Sequence, residues 1–100
     1  MPYIVYIIYS KSLRQFYKGQ TNNLKDRLSR HNSGYEKATQ SGCPWLLLWA
    51  TEKDTRTEAI ALELKLKNLS TPRLIQFMLK YSDGCSSPDE LLFIKQLSGY

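Results

Sequence analysis

The run from Tyr3 to Tyr9, YIVYIIY, constrains the fold most, because it is apolar, tyrosine-rich and dense in β-branched side chains. A short run of this composition is typical of a strand buried on both faces. After a polar break, Phe16–Gln20 returns to β-compatible residues, so the two runs predict a β-hairpin. Gly19 in the second strand permits a bulge, or the close approach of another backbone or a phosphate. We expect the rest of the chain to fold around this hairpin.

A short helix is predicted to follow the hairpin. A Thr-Asn-Asn sequence can cap its N-terminus and an Asn-Ser-Gly sequence can end it, so the helix should run from about Leu24 to Asn32. Arg27 lies one turn before His31 on the same side, at the border of the apolar stripe. Two alternatives stay open. Arg27 is equally explained as a solvated helix arginine, and His31 as a C-terminal histidine favoured by the helix dipole.

An irregular loop and a third strand come next. The loop, Gly34–Pro44, carries Tyr35, Lys37 and Thr39 and is long enough to contact a substrate. A plain surface connection is the alternative. Trp45–Thr51, WLLLWAT, is continuously apolar and predicts a short strand.

The second helix carries a carboxylate between two apolar arcs. A capping box at Thr55-Arg56-Thr57-Glu58 opens this helix, which should run to about Leu69. At roughly 100° per residue, Glu63 falls between the arcs. One arc contains Ala59, Leu62, Leu66 and Leu69, and the other contains Ile60 and Leu64. A carboxylate on an apolar face must be paired, protonated or bound to a metal. The sequence therefore leaves two readings of Glu63, a metal ligand and an ion pair with Lys67.

Two further helices end the chain. The first begins at Thr71-Pro72 and ends before Asp83-Gly84, and the second opens with a capping box at Ser87 and covers about 87–98. The predicted order is β-β-α-β-α-α-α. We therefore expect one α/β domain of the α+β type over residues 1–100, with a small three-stranded antiparallel sheet flanked by helices.

Charge and composition narrow the class of partner. The chain has 14 Lys and Arg against 9 Asp and Glu, a net charge of +5, which favours a polyanion and nucleic acid first. Many soluble domains carry such a charge without that role. No segment approaches the roughly 18 apolar residues of a membrane span. The N-terminus lacks a basic leader, so we expect a cytoplasmic protein. Cys43 and Cys85 lack metal-ligand spacing and are assigned no chemistry.

An ordered set of motifs resembles the GIY-YIG nuclease family, especially its small single-domain bacterial members of the URI type. The set contains Tyr17-Lys18-Gly19, Asn23-Leu24, Arg27-Leu28, His31-Asn32-Ser33-Gly34, Pro44-Trp45, Glu58-Ala59 and Glu63, within a family-like core of about Tyr3 to Leu79. Ile4-Val5-Tyr6 stands where the family has Gly-Ile-Tyr, and Lys18 replaces the middle residue of the second motif. Ile7-Ile8-Tyr9 is an alternative alignment, but the separation of Tyr6 from Tyr17 better fits the family hairpin.

The resemblance implies metal-dependent hydrolysis of phosphodiester bonds in DNA, structure-selective and linked to repair or recombination. Glu63 would hold one Mg²⁺ or Mn²⁺ ion, and Arg27 would contact the phosphate as negative charge builds. Tyr6 would be the general base, with Tyr17 positioning water or metal ligands. A phenol titrates near pH 10, so this role needs a cation-rich site that lowers the pKa of Tyr6. His31 would share the base role or contact the phosphate.

Further residues are expected to touch the nucleic acid. They are Lys18, Arg30, Lys37 and Thr39, and Lys18 is equally a solvated strand residue. The alternative function is a non-catalytic nucleic-acid-binding module that kept the fold and the basic face. The combination of Arg27, Glu63 and both tyrosines favours the nuclease, because a pure binder has no need of an inward carboxylate. Neither alternative specifies an oligomeric state.

Overall fold

A computed structural model describes residues 2–99, which form a three-stranded sheet and four α-helices. The strands are β1 (Tyr3–Ser10), β2 (Gln15–Thr21) and β3 (Trp45–Lys53). The helices are α1 (Leu24–Asn32), α2 (Arg56–Lys67), α3 (Thr71–Lys80) and α4 (Pro88–Leu97), with single 3₁₀ turns at Gln40–Gly42 and Ser82–Gly84. This order confirms the predicted fold class. Within residues 2–99, every helix is too short or too polar to span a bilayer.

The sheet has the order β2-β1-β3 and is antiparallel throughout, so the apolar run lies in the central strand. Tyr6 stands opposite Gly19, and Ile8 stands opposite Tyr17. The pairing between β1 and β3 shifts beside Ile7 and Ile8, where β3 has one extra residue. Side chains alternate between the two faces of a strand. Tyr6 and Tyr17 therefore share one face of the sheet.

Both faces of β1 are buried, as its composition predicts. On one face Val5, Ile7 and Tyr9 contribute to the main core, which also receives side chains from α2, α3 and α4. On the other face Tyr6 and Ile8 form a smaller cluster under α1 and the start of β3. The described chain thus has a large structural core on one side of the sheet and a smaller cluster rich in aromatic residues on the other.

The helix-start signals are confirmed at α2 and only partly at α4. The Thr55 hydroxyl accepts a hydrogen bond from the Glu58 backbone N–H at 3.2 Å and donates to the Glu58 carboxylate at 2.9 Å. At α4 the Ser87 hydroxyl donates to the Glu90 carboxylate but makes no hydrogen bond to a backbone N–H. The second capping box is therefore incomplete, and Pro at the first turn of α4 supplies the start instead.

Only one of the two apolar arcs of α2 is buried. Ile60 and Leu64 are 37% and 55% exposed, so the second apolar arc does not reach the core. The reason is that α2 packs on the sheet through the arc that contains Ala59 and Leu66, both fully buried. A helix on the outside of a two-layer domain can bury only one such stripe. The helix also ends at Lys67, slightly before the predicted end.

Candidate active site

Tyr6 lies at the centre of the smaller cluster. Its side chain is 1% exposed, and its ring lies over Gly19 of the neighbouring strand. A Cβ atom built on Gly19 would be 2.5 Å from the Tyr6 hydroxyl oxygen and 2.7 Å from Cζ. A glycine is therefore needed at position 19, because any larger side chain would collide with the Tyr6 ring. The sequence allowed a bulge at this glycine, or the close approach of another backbone or a phosphate; the group that lies against Gly19 is instead the phenol of Tyr6.

His31 is the hydrogen-bond partner of Tyr6. The last turn of α1 places its ring under the sheet, where it is 1% exposed. The Tyr6 hydroxyl lies 2.9 Å from Nε2 of His31, and Nδ1 on the other side of the ring lies 2.8 Å from the Thr39 hydroxyl. Burial of a polar group is tolerated when it is hydrogen-bonded, and these contacts satisfy both ring nitrogens.

Tyr17 completes an aromatic group around the histidine. Its ring centroid lies 5.2 Å from that of His31 and 6.3 Å from that of Trp45, with an edge-on orientation in both pairs. Edge-to-face contacts of this kind favour a defined ring position. Since Tyr17 is only half-buried, its position links the buried Tyr6–His31 pair to the protein surface.

Two charged side chains from different helices act on the same phenol. Burial raises the pKa of Tyr6 to about 12, while the guanidinium of Arg27 on α1 lowers it and the carboxylate of Glu63 on α2 raises it. The guanidinium of Arg27 acts on this phenol more strongly than the carboxylate of Glu63 does. Of the five residues that the sequence singled out as catalytic candidates, Tyr6, Tyr17 and His31 are in contact. Arg27 and Glu63 both influence the pKa of Tyr6, Glu63 the more weakly.

The predicted lowering of the Tyr6 pKa does not occur in the protein alone. Burial disfavours the phenolate more than Arg27 stabilises it. Burial, assisted by Arg27, also lowers the pKa of His31 from its usual range, although Glu36 opposes this shift. Both members of the hydrogen-bonded pair are therefore neutral near pH 7.

Glu63 is held by an ion pair along its own helix. Its Oε2 lies 3.3 Å from Nζ of Lys67, and its side chain is 17% exposed. Nowhere in residues 2–99 do three or more His, Cys, Asp or Glu side chains gather as a metal-binding group. A lone carboxylate suits Mg²⁺, which usually binds through one or two carboxylates and keeps several waters. The single carboxylate of Glu63 thus suits a hard cation that keeps most of its water ligands, and does not suit a metal site whose ligands all come from the protein.

The predicted nucleic-acid contacts are in different environments. Arg30 and Lys37 are exposed, on α1 and on the following loop, and Arg30 forms an ion pair with Glu36 at 3.4 Å. Lys18 pairs with Ile7 in the sheet and so faces the main core side, away from Tyr17. Burial and the nearby Lys67 lower the pKa of Lys18. Of these residues, Arg30 and Lys37 are the more accessible to a polyanion on the face that carries Tyr6.

Thr39 does not fit the role predicted for it. It is 0% exposed, so it presents no surface to a nucleic acid, and its hydroxyl contacts His31. The loop that carries Thr39 is also not a plain surface connection. It turns inward because its backbone and side chains bind α1 and the start of β3.

Three residues that the sequence did not assign to the site hold this loop in place. Asn32 binds the backbone of Trp45 with both its amide nitrogen and its amide oxygen. The Cys43 thiol donates to the His31 carbonyl at 2.8 Å, and the Trp45 indole N–H donates to the Thr39 carbonyl at 2.7 Å. A buried indole N–H usually finds an acceptor, so Trp45 was the one residue whose type signalled such a contact.

Comparison with known proteins gives the family and the fold of the chain. The GIY-YIG catalytic domain profile matches residues 2–76. No curated protein matches the chain significantly. Among solved structures, the solution NMR structure of a UPF0213 protein from Bacillus halodurans is 28% identical, covers 92% of this chain and 94% of its own, and superposes with a TM-score of 0.53. Since the matched domain spans most of the chain and the fold agrees, the chain belongs to the GIY-YIG family, a family of nucleases.

Proposed function

We propose that this protein is a metal-dependent endonuclease that hydrolyses phosphodiester bonds in DNA. One observation carries the proposal. The Tyr6 hydroxyl is hydrogen-bonded to His31, and its pKa responds to the guanidinium of Arg27 and, more weakly, to the carboxylate of Glu63. This combination supplies a proton acceptor, a cation for a phosphate and a candidate ligand for a metal ion.

The Tyr6–His31 pair would act as the base. Because the pKa of Tyr6 is about 12, little phenolate exists at neutral pH. The hydroxyl oxygen of Tyr6 would instead take a proton from the attacking water while it passes its own proton to Nε2 of His31. The resulting hydroxide forms the new bond to phosphorus as the bond to the leaving oxygen breaks. After this step Tyr6 is again a neutral phenol, His31 is an imidazolium with one additional proton, and the leaving oxygen takes a proton from solvent.

Arg27 and Glu63 would act on the phosphate from two different helices, α1 and α2. Arg27 carries a permanent charge and a planar set of donors, which suits two phosphate oxygens in the transition state. Glu63 would hold one Mg²⁺ or Mn²⁺ ion, which when bound polarises the phosphate and stabilises the leaving oxygen. The fit of a lone, half-buried carboxylate to such an ion supports this assignment.

The positive charge of the chain supports DNA as the partner. The net charge is +5, and Arg30 and Lys37 are exposed beside α1. Such residues neutralise backbone phosphates without reading sequence. We extend the proposal to a structure-selective activity in repair or recombination.

One observation favours a second candidate function. The Glu63 carboxylate is already paired with Lys67, as expected in a module that binds nucleic acid without cleaving it. The deciding experiment incubates the protein with flap, branched, nicked and single-stranded DNA, with Mg²⁺ or Mn²⁺ and with a chelator. Cleavage that the chelator abolishes supports the nuclease. Binding without cleavage on every substrate supports the module.

A pair of matched variants tests the base. Tyr6→Phe removes one hydroxyl and should lower turnover by roughly 10² to 10⁴-fold. Tyr9→Phe is the control, because Tyr9 is 6% exposed on the same strand but packs on the other face against Phe16 and Phe93. It should cleave at the parent rate. An active Tyr6→Phe with an inactive Tyr9→Phe would refute the assignment. If both stay active, His31 becomes the base, and His31→Ala should remove the acidic limb of the pH–rate profile.

A further inference from the structure

We infer that Thr39 is a positioning residue that holds His31 in the tautomer with hydrogen on Nδ1, so that the bare Nε2 faces Tyr6. The tautomer follows from the hydrogen bonds alone. Its consequence for catalysis rests on the function proposed above.

The first step is the number of donors available. Both bonds of the His31 ring are short, 2.9 Å to the Tyr6 hydroxyl and 2.8 Å to the Thr39 hydroxyl, and both are buried. A neutral imidazole has one N–H and one bare nitrogen. His31 therefore donates to one of its two partners and accepts from the other.

The second step is the direction of these bonds. A phenol O–H is a stronger acid than an imidazole N–H, so Tyr6 is the better donor and Nε2 the better acceptor. The Thr39 hydroxyl lies 3.5 Å from the Glu36 carbonyl oxygen, to which it can direct its own hydrogen. Its oxygen is then free to accept from Nδ1 of His31. The hydrogen bonds run in one direction, from Tyr6 through His31 and Thr39 to Glu36.

The third step is the rigidity of Thr39. Its backbone N–H donates to the Glu36 carbonyl at 3.1 Å, and its own carbonyl accepts from Gly42 at 3.1 Å and from the Trp45 indole at 2.7 Å. Threonine is stiff at χ1 because its Cβ is branched. The hydroxyl is thus held in place before any substrate arrives.

The consequence concerns proton transfer. Without the Thr39 hydroxyl, the imidazole is free to adopt the other tautomer, in which Nε2 carries the hydrogen. That form offers no lone pair to the Tyr6 hydroxyl and cannot receive its proton. Partners that orient a metal-bound histidine through its second nitrogen typically change activity by roughly 10 to 100-fold when they are removed, and we expect an effect of that size for His31.

The test uses the fact that His31 is the only histidine in the chain. Nitrogen-15 NMR of the ring near neutral pH reports its tautomer without assignment ambiguity. The parent should show hydrogen on Nδ1 and a bare Nε2. Thr39→Val keeps the shape but removes the hydroxyl, so its spectrum should move toward a mixture of tautomers. Thr39→Ser should retain the parent spectrum.

Cleavage supplies the second readout. Thr39→Val should lower kcat roughly 10 to 100-fold with little change in KM, and Thr39→Ser should restore most of the loss. Thr21→Val is a matched control, because Thr21 is 6% exposed and its hydroxyl binds Asn23 outside the site. It should leave both the tautomer and kcat unchanged.

Several results would overturn the inference. They are a parent spectrum with hydrogen on Nε2, a Thr39→Val spectrum identical to the parent, or a Thr39→Ser variant as impaired as Thr39→Val. The parent spectrum decides the tautomer even if Thr39→Val fails to fold. If the parent cleaves no substrate but shows hydrogen on Nδ1, the proposed function fails while the tautomer assignment stands.

Discussion

Replacing Gly19 by alanine should uncouple Tyr6 from its partners while the fold persists. The added Cβ would lie 2.7 Å from the Tyr6 Cζ carbon, whereas carbon atoms normally pack at about 3.5 to 4.0 Å. The phenol or strand β2 must therefore retreat by roughly 1 Å. Tyr6 is 1% exposed, so the ring has no solvent into which it can move.

The cost follows from three contributions. Overpacking a core site typically costs about 1 to 3 kcal/mol, and weakening the Tyr6–His31 hydrogen bond adds about 0.5 to 1.5 kcal/mol. The reduced freedom of the unfolded chain returns about 0.4 to 1 kcal/mol. We expect a net loss of about 0.5 to 4 kcal/mol in the free energy of unfolding. A displacement of this size at a reacting group should lower turnover roughly 10²-fold.

Denaturant unfolding and cleavage by the folded protein measure the two effects separately. Gly84→Ala is the matched control, because its Cβ would meet the Trp49 indole in the main core, on the other side of the sheet from Tyr6. It should be destabilised to a similar degree and cleave normally. In a Tyr6→Phe background, Gly19→Ala should cause no further loss of cleavage. A Gly19→Ala protein with parent stability and parent turnover would refute the close packing of Tyr6 on this glycine.

Three further outcomes are expected. Glu63→Gln should abolish metal-dependent cleavage. It should lower the free energy of unfolding by only about 0.5 kcal/mol or less, because the ion pair it breaks lies along one helix near the surface. Lys67→Gln breaks the same pair but keeps the carboxylate, so it should retain cleavage. Equal cleavage by parent and Glu63→Gln would place the metal elsewhere. The logarithm of DNA affinity should fall linearly with the logarithm of salt concentration, with a slope of roughly −0.9 per phosphate neutralised. Binding titrations that show no dependence on salt would remove nucleic acid as the partner. The pKa of Tyr6 is about 12 in the folded state and about 10 in the unfolded chain. The folded state therefore gains stability from keeping this phenol protonated. The gain is complete below pH 10 and is lost as pH rises through 12. Urea unfolding at pH 9 and 11 should show a smaller loss for Tyr6→Phe than for the parent, and equal losses would contradict the burial of this phenol.

The parts of the fold that were predicted from sequence depend on local signals. The helix Leu24–Asn32 was predicted with its observed bounds because a capping asparagine and a stop sequence stand at its ends. Strand β1 was predicted because its composition suits burial on both faces. A shared site for Tyr6, Arg27 and Glu63 was expected only through the resemblance to a family, since they lie on three different elements.

The parts that were missed depend on contacts between distant segments. Thr39 looked like an exposed loop residue, because nothing nearby in sequence shows that its loop is drawn inward by Asn32 and Trp45. The pKa of Tyr6 was expected to fall, because the charge of Arg27 is visible in a sequence whereas the degree of burial is not. The sequence also did not show which apolar arc of α2 is buried, and the single contact face of this helix leaves Ile60 and Leu64 outside the core.

Satisfaction of buried polar groups explains why the site extends inward from Tyr6. A phenol in a central strand can be buried only with a partner, and His31 supplies it. The second nitrogen of that histidine then needs a partner of its own, which Thr39 supplies. Throughout residues 2–99, every buried side-chain nitrogen and oxygen has a partner. Removing one member by an apolar substitution leaves the next one buried and unpaired, at a cost of about 1 to 3 kcal/mol. Stability and proton transfer therefore depend on the same hydrogen bonds. A variant that restores the packing but not the removed hydrogen-bonding group should recover the fold and not the activity.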